Sequence, residues 1–484
     1  MSADRRRSSG VEYDSSVQSD YLDHRQLQSG SVGWVLLAGL GVAYVISGDF
    51  AGWNFGLDEG GFGGLLIATV LMAIMYTAMV LGLAELASTI PVAGAGYGFA
   101  RRALGPLGGF ATGTAILIEY AIAPAAIVVF IGGYVEALGL FGLTTGWPVY
   151  LACYAIFVGV HLYGVGEALK LMFAITAVAV VALVLFVIAM VPKFDVGNLT
   201  DIPVDSAAMG SSPFLPFGFA GVIAAFVYGI WFFLAVEGVP LAAEEARDPK
   251  KDMPRGIIVA MVALLLFAAL ILLLAPAGAG AESIRASDNP LPEALRQAYG
   301  GNTWMASFVN YVGLAGLVAS FFSIIFGYSR QLFALSRAGY LPRMLALTSK
   351  RHTPWVALLV PAGIGFLLAA ITQDGALLIN IAVFGATVSY VLMMASHIVL
   401  RRREPDLERP YRTPGGIATT GVALVLACLA VVATFFVDLK AAGITALVFA
   451  AFLAYFWFYS RHRLVGVAPE EEFESITSAE SELR

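Results

Sequence analysis

Twelve apolar stretches, most of them about twenty residues or longer, run through this chain, and that pattern decides the class of fold before any motif is read. A helix rises ~1.5 Å per residue, so about 20 apolar residues match the ~30 Å hydrocarbon layer of a bilayer. The windows are 32 to 57, 62 to 90, 108 to 138, 147 to 162, 167 to 191, 214 to 243, 256 to 276, 305 to 334, 355 to 372, 376 to 400, 417 to 437 and 440 to 460. Inside lipid each segment must satisfy its own backbone polar groups, which for runs of this length means helices. The expectation is an all-α polytopic membrane protein with twelve transmembrane helices. Its composition agrees, with 59% hydrophobic and 13% charged residues, where soluble proteins carry about 25% charged.

Basic residues in short loops stay on the cytoplasmic side. With the N-terminus inside, the outward loops hold only Lys193, Arg285, Arg296 and Lys440, leaving 24 of the 28 Lys and Arg inside. The inward clusters are Arg101-Arg102, Arg247 to Arg255, Arg330 to Arg351 and Arg401 to Arg412, read as orienting charge and lipid-headgroup contacts. Residues 1–30 contain no apolar core of signal-peptide length and read as a disordered cytoplasmic tail. The acidic stretch 465–484 reads as a second one. Between them lie a ten-segment core, 31–400, and two further segments, 401–464. Cys153 and Cys428 sit in separate apolar runs, which suggests neither a disulfide framework nor a metal cluster.

Two segments carry acids where none should face lipid. The first contains Val45-Ile46-Ser47-Gly48-Asp49-Phe50-Ala51-Gly52-Trp53 and the sixth contains Trp231-Phe232-Phe233-Leu234-Ala235-Val236-Glu237-Gly238-Val239-Pro240. A carboxylate at mid-membrane depth costs at least a few kcal/mol, and glycine weakens a helix by about 1 kcal/mol relative to alanine. Each stretch therefore predicts a broken helix. In the first, one half ends near Ile46 and the next starts near Asp49. In the sixth, Pro240 sits in a new first turn. Breaks five segments apart are what a five-plus-five inverted repeat produces, with the last two segments outside it. Gly94-Ala95-Gly96 follows a membrane segment rather than a strand, so a dinucleotide loop is rejected, and no Walker-type loop occurs. Nucleotide and nucleic acid are not expected partners, and no cofactor is implied.

Three motifs carry a family resemblance. They are Glu85-Leu86-Ala87-Ser88-Thr89-Ile90-Pro91-Val92-Ala93-Gly94-Ala95-Gly96-Tyr97 after the second segment, Ala243-Glu244-Glu245-Ala246-Arg247-Asp248-Pro249-Lys250-Lys251-Asp252-Met253-Pro254 after the sixth, and Ser336-Arg337-Ala338-Gly339-Tyr340-Leu341-Pro342 after the eighth. With them the chain resembles the amino acid, polyamine and organocation transporters. Through Val45 to Leu57, Gly96 to Gly109 and Thr112 to Ala126 it is most similar to bacterial ethanolamine permeases. The resemblance covers roughly residues 25 to 460. It implies segments 1 and 6 rocking against a scaffold of segments 3 and 8, with alternating access, in a bacterial cytoplasmic membrane.

In relatives that carry amino acids, the freed amides of segments 1 and 6 hold the substrate carboxylate. Here Asp49 would stand at the N-cap of the second half-helix and accept those amides itself. Asp49, Glu119 and Glu237 then favour a cation without a carboxylate, such as protonated ethanolamine. Trp53, Tyr120, Trp231 and Phe232 lie beside the acids, and an ammonium over a ring gains roughly 0.5 to 2 kcal/mol. Ser47, Gly48 and Phe50 complete the expected substrate-binding set. Each has a duller reading: Asp49 as a cap, Glu237 as a structural or proton-sensing acid, Glu119 as the partner of another polar group, and the aromatics as packing. Ser320 and Ser323 could line a cation site, and Asn380 and Ser389 an outer vestibule, though packing between helices leads for all four. Glu85, Glu244 and Glu245 are expected to bind basic groups at the inner gate.

Many relatives carry a lysine deep in the fifth segment that stands in for sodium. Thr176, Ala177 and Ala179 occupy that region here, with Lys170 near the segment start, which leaves coupling to protons or to membrane potential open. The expected activity is import of ethanolamine or a similar amine by a monomer or weak homodimer. The alternatives are a proton-coupled importer of small neutral amino acids such as alanine, and a transport-inactive receptor.

Overall fold

The computed structural model describes residues 11, 13, 21, 30, 32–92, 94–139, 142–143, 146–163, 165–301, 303–466 and 468, without the side chains of 165–170. Most of the expected tail 1–30, the Lys170 side chain, and residues 467 and 469–484 of the expected acidic tail lie outside the described residues.

The described residues fold into helices. In order they are α1 (Trp34–Phe50), α2 (Phe55–Thr89), α3 (Gly96–Ala137), α4 (Trp147–Tyr163), α5 (Val165–Met190), α6 (Gly218–Ala224) and α7 (Phe226–Trp231). A 3-10 segment, Val236–Glu245, follows. After it come α8 (Pro249–Ala279), α9 (Ala281–Ile284), α10 (Pro290–Tyr299), α11 (Trp304–Arg337), α12 (Trp355–Thr372), α13 (Gly375–Arg403), α14 (Ile417–Val437) and α15 (Leu439–Phe458). Ten helical segments among the described residues are long and apolar enough to cross a membrane, and Trp34–Phe50 and Trp147–Tyr163 are shorter apolar helices. The protein is a multi-pass, all-helical membrane protein.

Two left-handed glycines set boundaries inside the long helices. Gly61, at φ +65°, divides α2 into the outer part of the first membrane segment and the second segment. Gly105, at φ +80°, precedes Pro106 and separates a short entry helix from the spanning part of α3. Proline suits that first helical turn because its missing N–H has no helical partner to lose.

The first and sixth segments lie side by side and antiparallel along their whole length. A Cβ on Gly60 would meet Gly221 O, one on Gly56 would meet Tyr228, one on Gly48 would meet Trp231 O, and one on Gly41 would meet Val239. At the far end, where the chain turns out of the sixth segment, Val32 forms a parallel bridge with Ala246, the Val32 N–H donating to Glu245 O and the Arg247 N–H to Val32 O. Contacts that descend one helix as they climb the other put the two breaks at one level.

Both breaks exist, and each is displaced from its expected place. In the first segment α1 continues unbroken through Asp49 to Phe50, and the turn is Ala51 to Asn54, with Gly52 at φ +91°. In the sixth, α7 ends at Trp231 and Ala235 takes the left-handed φ of +76°, so Glu237 falls in the first turn beyond the break and Pro240 lies inside the 3-10 segment. The glycines beside the acids serve contact instead of bending. A Cβ on Gly48 would lie 2.3 Å from Trp231 O, and one on Gly238 would lie 2.5 Å from the Tyr120 hydroxyl.

At the basic end of the bundle, acids meet bases from other segments. Glu245 pairs with Arg330 at 2.8 Å, with side chains 2% and 0% exposed, and Glu244 pairs with Arg337 at 2.7 Å. Glu85 accepts from Arg401 Nε at 2.8 Å and from the Thr413 N–H at 2.7 Å, and lies 3.0 Å from Arg409 Nε. Arg102 pairs with Glu404. The expectation for Glu85, Glu244 and Glu245 is met. The headgroup reading is corrected for Arg102, Arg330, Arg337, Arg401 and Arg409, whose charges are engaged inside the protein.

Candidate functional site

Glu119 of α3 and Glu237 of the 3-10 segment lie close enough for their carboxyls to interact electrostatically. Both are buried, at 0% and 5% exposure. The Tyr120 hydroxyl donates to Glu237 Oε1 at 3.3 Å, and Tyr390 of α13 lies near the same carboxyl. Tyr390 and Tyr76 of α2 join hydroxyls at 2.9 Å. Tyr44 of α1 stacks parallel on Tyr120, with centroids 6.2 Å apart, and its hydroxyl has no partner. Neither Glu119 oxygen nor Glu237 Oε2 meets a donor. Two like charges side by side in a low dielectric repel strongly unless a cation or proton lies between them. Two acids among four tyrosine rings therefore form a place where one small cation would gain charge pairing, hydrogen bonds and ring faces together.

The wall beside this pair is aromatic. Trp53 stacks on Phe232 at 5.6 Å, Phe232 touches Phe233 at 6.3 Å, and Phe233 touches Tyr76 at 5.4 Å. The rings form a continuous chain from the first break, past the second, to the acids.

Other expected site residues are spent on structure in this conformation. The backbone groups freed at the first break are capped: Tyr134 donates to Phe50 O at 2.9 Å, Trp231 Nε1 donates to Ala51 O at 3.0 Å, and the Gly52 N–H donates to Asn54 Oδ1 at 3.2 Å. Ser47 and Ser320 join hydroxyls at 2.8 Å, and Ser320 donates to Tyr44 O. A Cβ on Gly313 or Gly316 would run into the Phe50 ring. Ser323, Ser389 and Asn380 bond to backbone carbonyls, as their packing reading requires.

Asp49 stands apart from the pair. It lies in the last turn of α1, and the N-cap position of the following helix belongs to Asn54. The expected capping role is thus corrected, because α1 runs four residues further than its glycines suggest. Asp49 is 1% exposed, and neither of its oxygens has a hydrogen-bond partner. A helix turns about 100° per residue, which sets Asp49 about 160° round from Ser47 and about 140° from Tyr44. Its side chain therefore leaves α1 on the side away from α11 and α3.

Sequence reasoning missed Tyr44, Tyr76, Tyr390 and Asn54. The tyrosines had a readable signal, since a hydroxyl in mid-span needs a polar partner. Asn54 had none, because the carbonyls it donates to lie more than two hundred residues away.

The amino acid permease family matches residues 34–464. An uncharacterised transporter of Rhizobium meliloti is 29% identical over 405 residues, spanning 82% of this chain and 84% of that protein. A branched-chain amino acid permease of Bacillus subtilis is 29% identical over 384 residues, 76% of this chain and 79% of that protein. A methylthioribose transporter of the same organism is 26% identical over 405 residues, 79% of this chain and 81% of that protein.

Proposed function

The chain belongs to the amino acid permease family of transporters, and from that premise we propose that it carries a small organic ammonium ion, ethanolamine or a close analogue, inward across the bacterial cytoplasmic membrane. In this reading there are twelve crossings, with both termini cytoplasmic. Segments 1 to 5 and 6 to 10 form inverted halves, and the cation sits between the two breaks. Alternating access follows from rocking the first and sixth segments against α3 and α11. The membrane potential favours entry of one positive charge by about 2.3 kcal/mol per 100 mV.

The observation that carries the proposal is the buried Glu119–Glu237 pair, whose neighbours are tyrosine hydroxyls and which has no donor on three of its four oxygens. Trp53, Trp231 and Phe232 would shape its outer wall. Ethanolamine offers three ammonium N–H donors for the acids and one hydroxyl for a tyrosine such as Tyr44. The family and a relative named for branched-chain amino acids support a second reading, in which the substrate is a neutral amino acid. A zwitterion brings a carboxylate that two acids repel, so the pair favours the amine.

Thermal unfolding of purified protein separates the two readings. Ligand at a hundredfold excess over its Kd stabilises by about 2.7 kcal/mol, so ethanolamine should raise the Tm while alanine and leucine leave it unchanged. The reverse ranking rejects the amine. Glu119→Gln or Glu237→Gln should weaken ethanolamine binding about ten- to hundredfold, since a charged hydrogen bond is worth roughly 1.5 to 3 kcal/mol. Flux of labelled ethanolamine into proteoliposomes separates a transporter from a receptor.

A further inference from the structure

We infer that Asp49 is a proton-binding site separate from the amine site, loaded from outside and emptied inside as the first segment rocks, and that it couples transport to the proton gradient. This deepens the amine reading and rests on it for the flux measurement alone.

The surroundings of Asp49 follow from the packing of α1. Gly41 lies against Ala260 and Gly256 against Leu37, so α1 and α8 run parallel, and residue 49 is level with Ala268. Gly39 lies against Phe173, and Phe50 and Ala179 approach the same face of Gly316, so α5 brings Ala179 to Leu183 to that level. The Asp49 side chain leaves α1 on the side between those two helices, where Phe267, Ala268, Ile271, Ala182 and Leu183 are buried and apolar.

Among the described side chains no charge is available there. On α8 the charged groups are Lys250, Lys251, Asp252 and Arg255, at least thirteen residues below Ala268 and so roughly 20 Å away. On α5 nothing titratable lies between Leu171 and Met190, and Thr176 is bonded to Met172 O. Arg330 and Arg337 of α11 are held by Glu245 and Glu244, Glu237 faces Glu119, and Asp58 and Glu59 lie beyond the break. An ionised carboxylate without a partner does not persist in such a place, whereas the neutral acid does. The closed conformation therefore holds one proton on Asp49.

Asp49 is also three residues from Gly52, the left-handed residue of the hinge. Tilting α1 about that hinge parts it from α5 and α8 and opens the acid to water. Carboxylate plus proton gives carboxylic acid on the outer side, and the reverse step releases the proton inside.

The test uses Asp49→Asn, which keeps the size and polarity of the side chain. In proteoliposomes at zero membrane potential, an inside-alkaline gradient should accelerate ethanolamine uptake by the wild type. In Asp49→Asn that response should be lost, while equilibrium ethanolamine binding and potential-driven uptake persist. A response retained in Asp49→Asn, or lacking in the wild type, overturns the inference. So does loss of ethanolamine binding in Asp49→Asn, which would make the acid a substrate ligand. Infrared difference spectra of wild type against Asp49→Asn supply a measurement that needs no substrate: the wild type should show the C=O stretch of a protonated carboxyl that the variant lacks, and an absent band overturns the inference. If Asp49→Asn does not fold, the same band is sought in the Glu119→Gln, Glu237→Gln double variant, whose own pair no longer contributes. If ethanolamine binds neither wild type nor variant, the amine reading fails, and the infrared band still decides Asp49.

Discussion

A glycine in the middle of a membrane helix has two uses, flexibility and close approach, and the residues around Asp49 separate them. Gly48 lets α1 touch the backbone of α7, where an added Cβ would sit 2.3 Å from Trp231 O, while four residues on Gly52 supplies the left-handed φ that turns the chain. Gly48→Ala must therefore push the two helices apart, and overpacking of that kind costs about 1 to 3 kcal/mol. The Tm of the detergent-solubilised variant should fall accordingly. A Tm equal to that of the wild type would mean that the contact relaxes freely. Tyr44 presents the opposite case, a large residue whose placement decides chemistry. Its ring is stacked and its hydroxyl is open, so Tyr44→Phe should leave the Tm unchanged and weaken ethanolamine binding.

At the scale of elements, the two breaks are held by side chains from elsewhere. Asn54 is fully buried, accepts from the Gly52 N–H, and donates to the carbonyls of Ile284, Arg285 and Ser287 at 2.8 to 3.2 Å. One side chain thus fastens the first hinge to the turn after α9. Asn54→Ala leaves those carbonyls without their donor, a penalty of about 1 to 3 kcal/mol, and should both lower the Tm and speed proteolytic cleavage between α9 and α10. At the second break Ala235 adopts a left-handed conformation that costs a non-glycine residue roughly 1 to 2 kcal/mol. A branched residue fits that conformation worse, so Ala235→Val should destabilise further, whereas Ala235→Gly should not.

Across the whole molecule the acids divide by environment. At the basic end Glu85, Glu244 and Glu245 are paired with arginines and hold that end closed, whereas Asp49, Glu119 and Glu237 in mid-span have no basic partner. Arg330→Ala leaves the Glu245 carboxylate buried alone, which costs roughly 3 to 5 kcal/mol, and replacing both partners by apolar residues should recover most of that stability. Unfolding midpoints of the single and double variants measure the difference. Much of this was legible in the chain. The positions of the apolar windows, the antiparallel first and sixth segments, and the pairing of Glu85, Glu244 and Glu245 with basic groups all follow from length, charge and sign, because a bilayer tolerates few alternatives. The break positions and the grouping of the acids were not legible. Glycine marks both a bend and a contact, and a helix shows in sequence which residues share a face but not which neighbour that face meets. The sequence alone determined that the first and sixth segments each carry a buried carboxylate and a break within a membrane, since lipid excludes any cheaper arrangement. Only the tertiary structure joined Glu119 to Glu237 and turned Asp49 away from them, because that grouping depends on how α1, α3 and the sixth segment are rotated against one another, a choice made by packing between residues far apart in the chain.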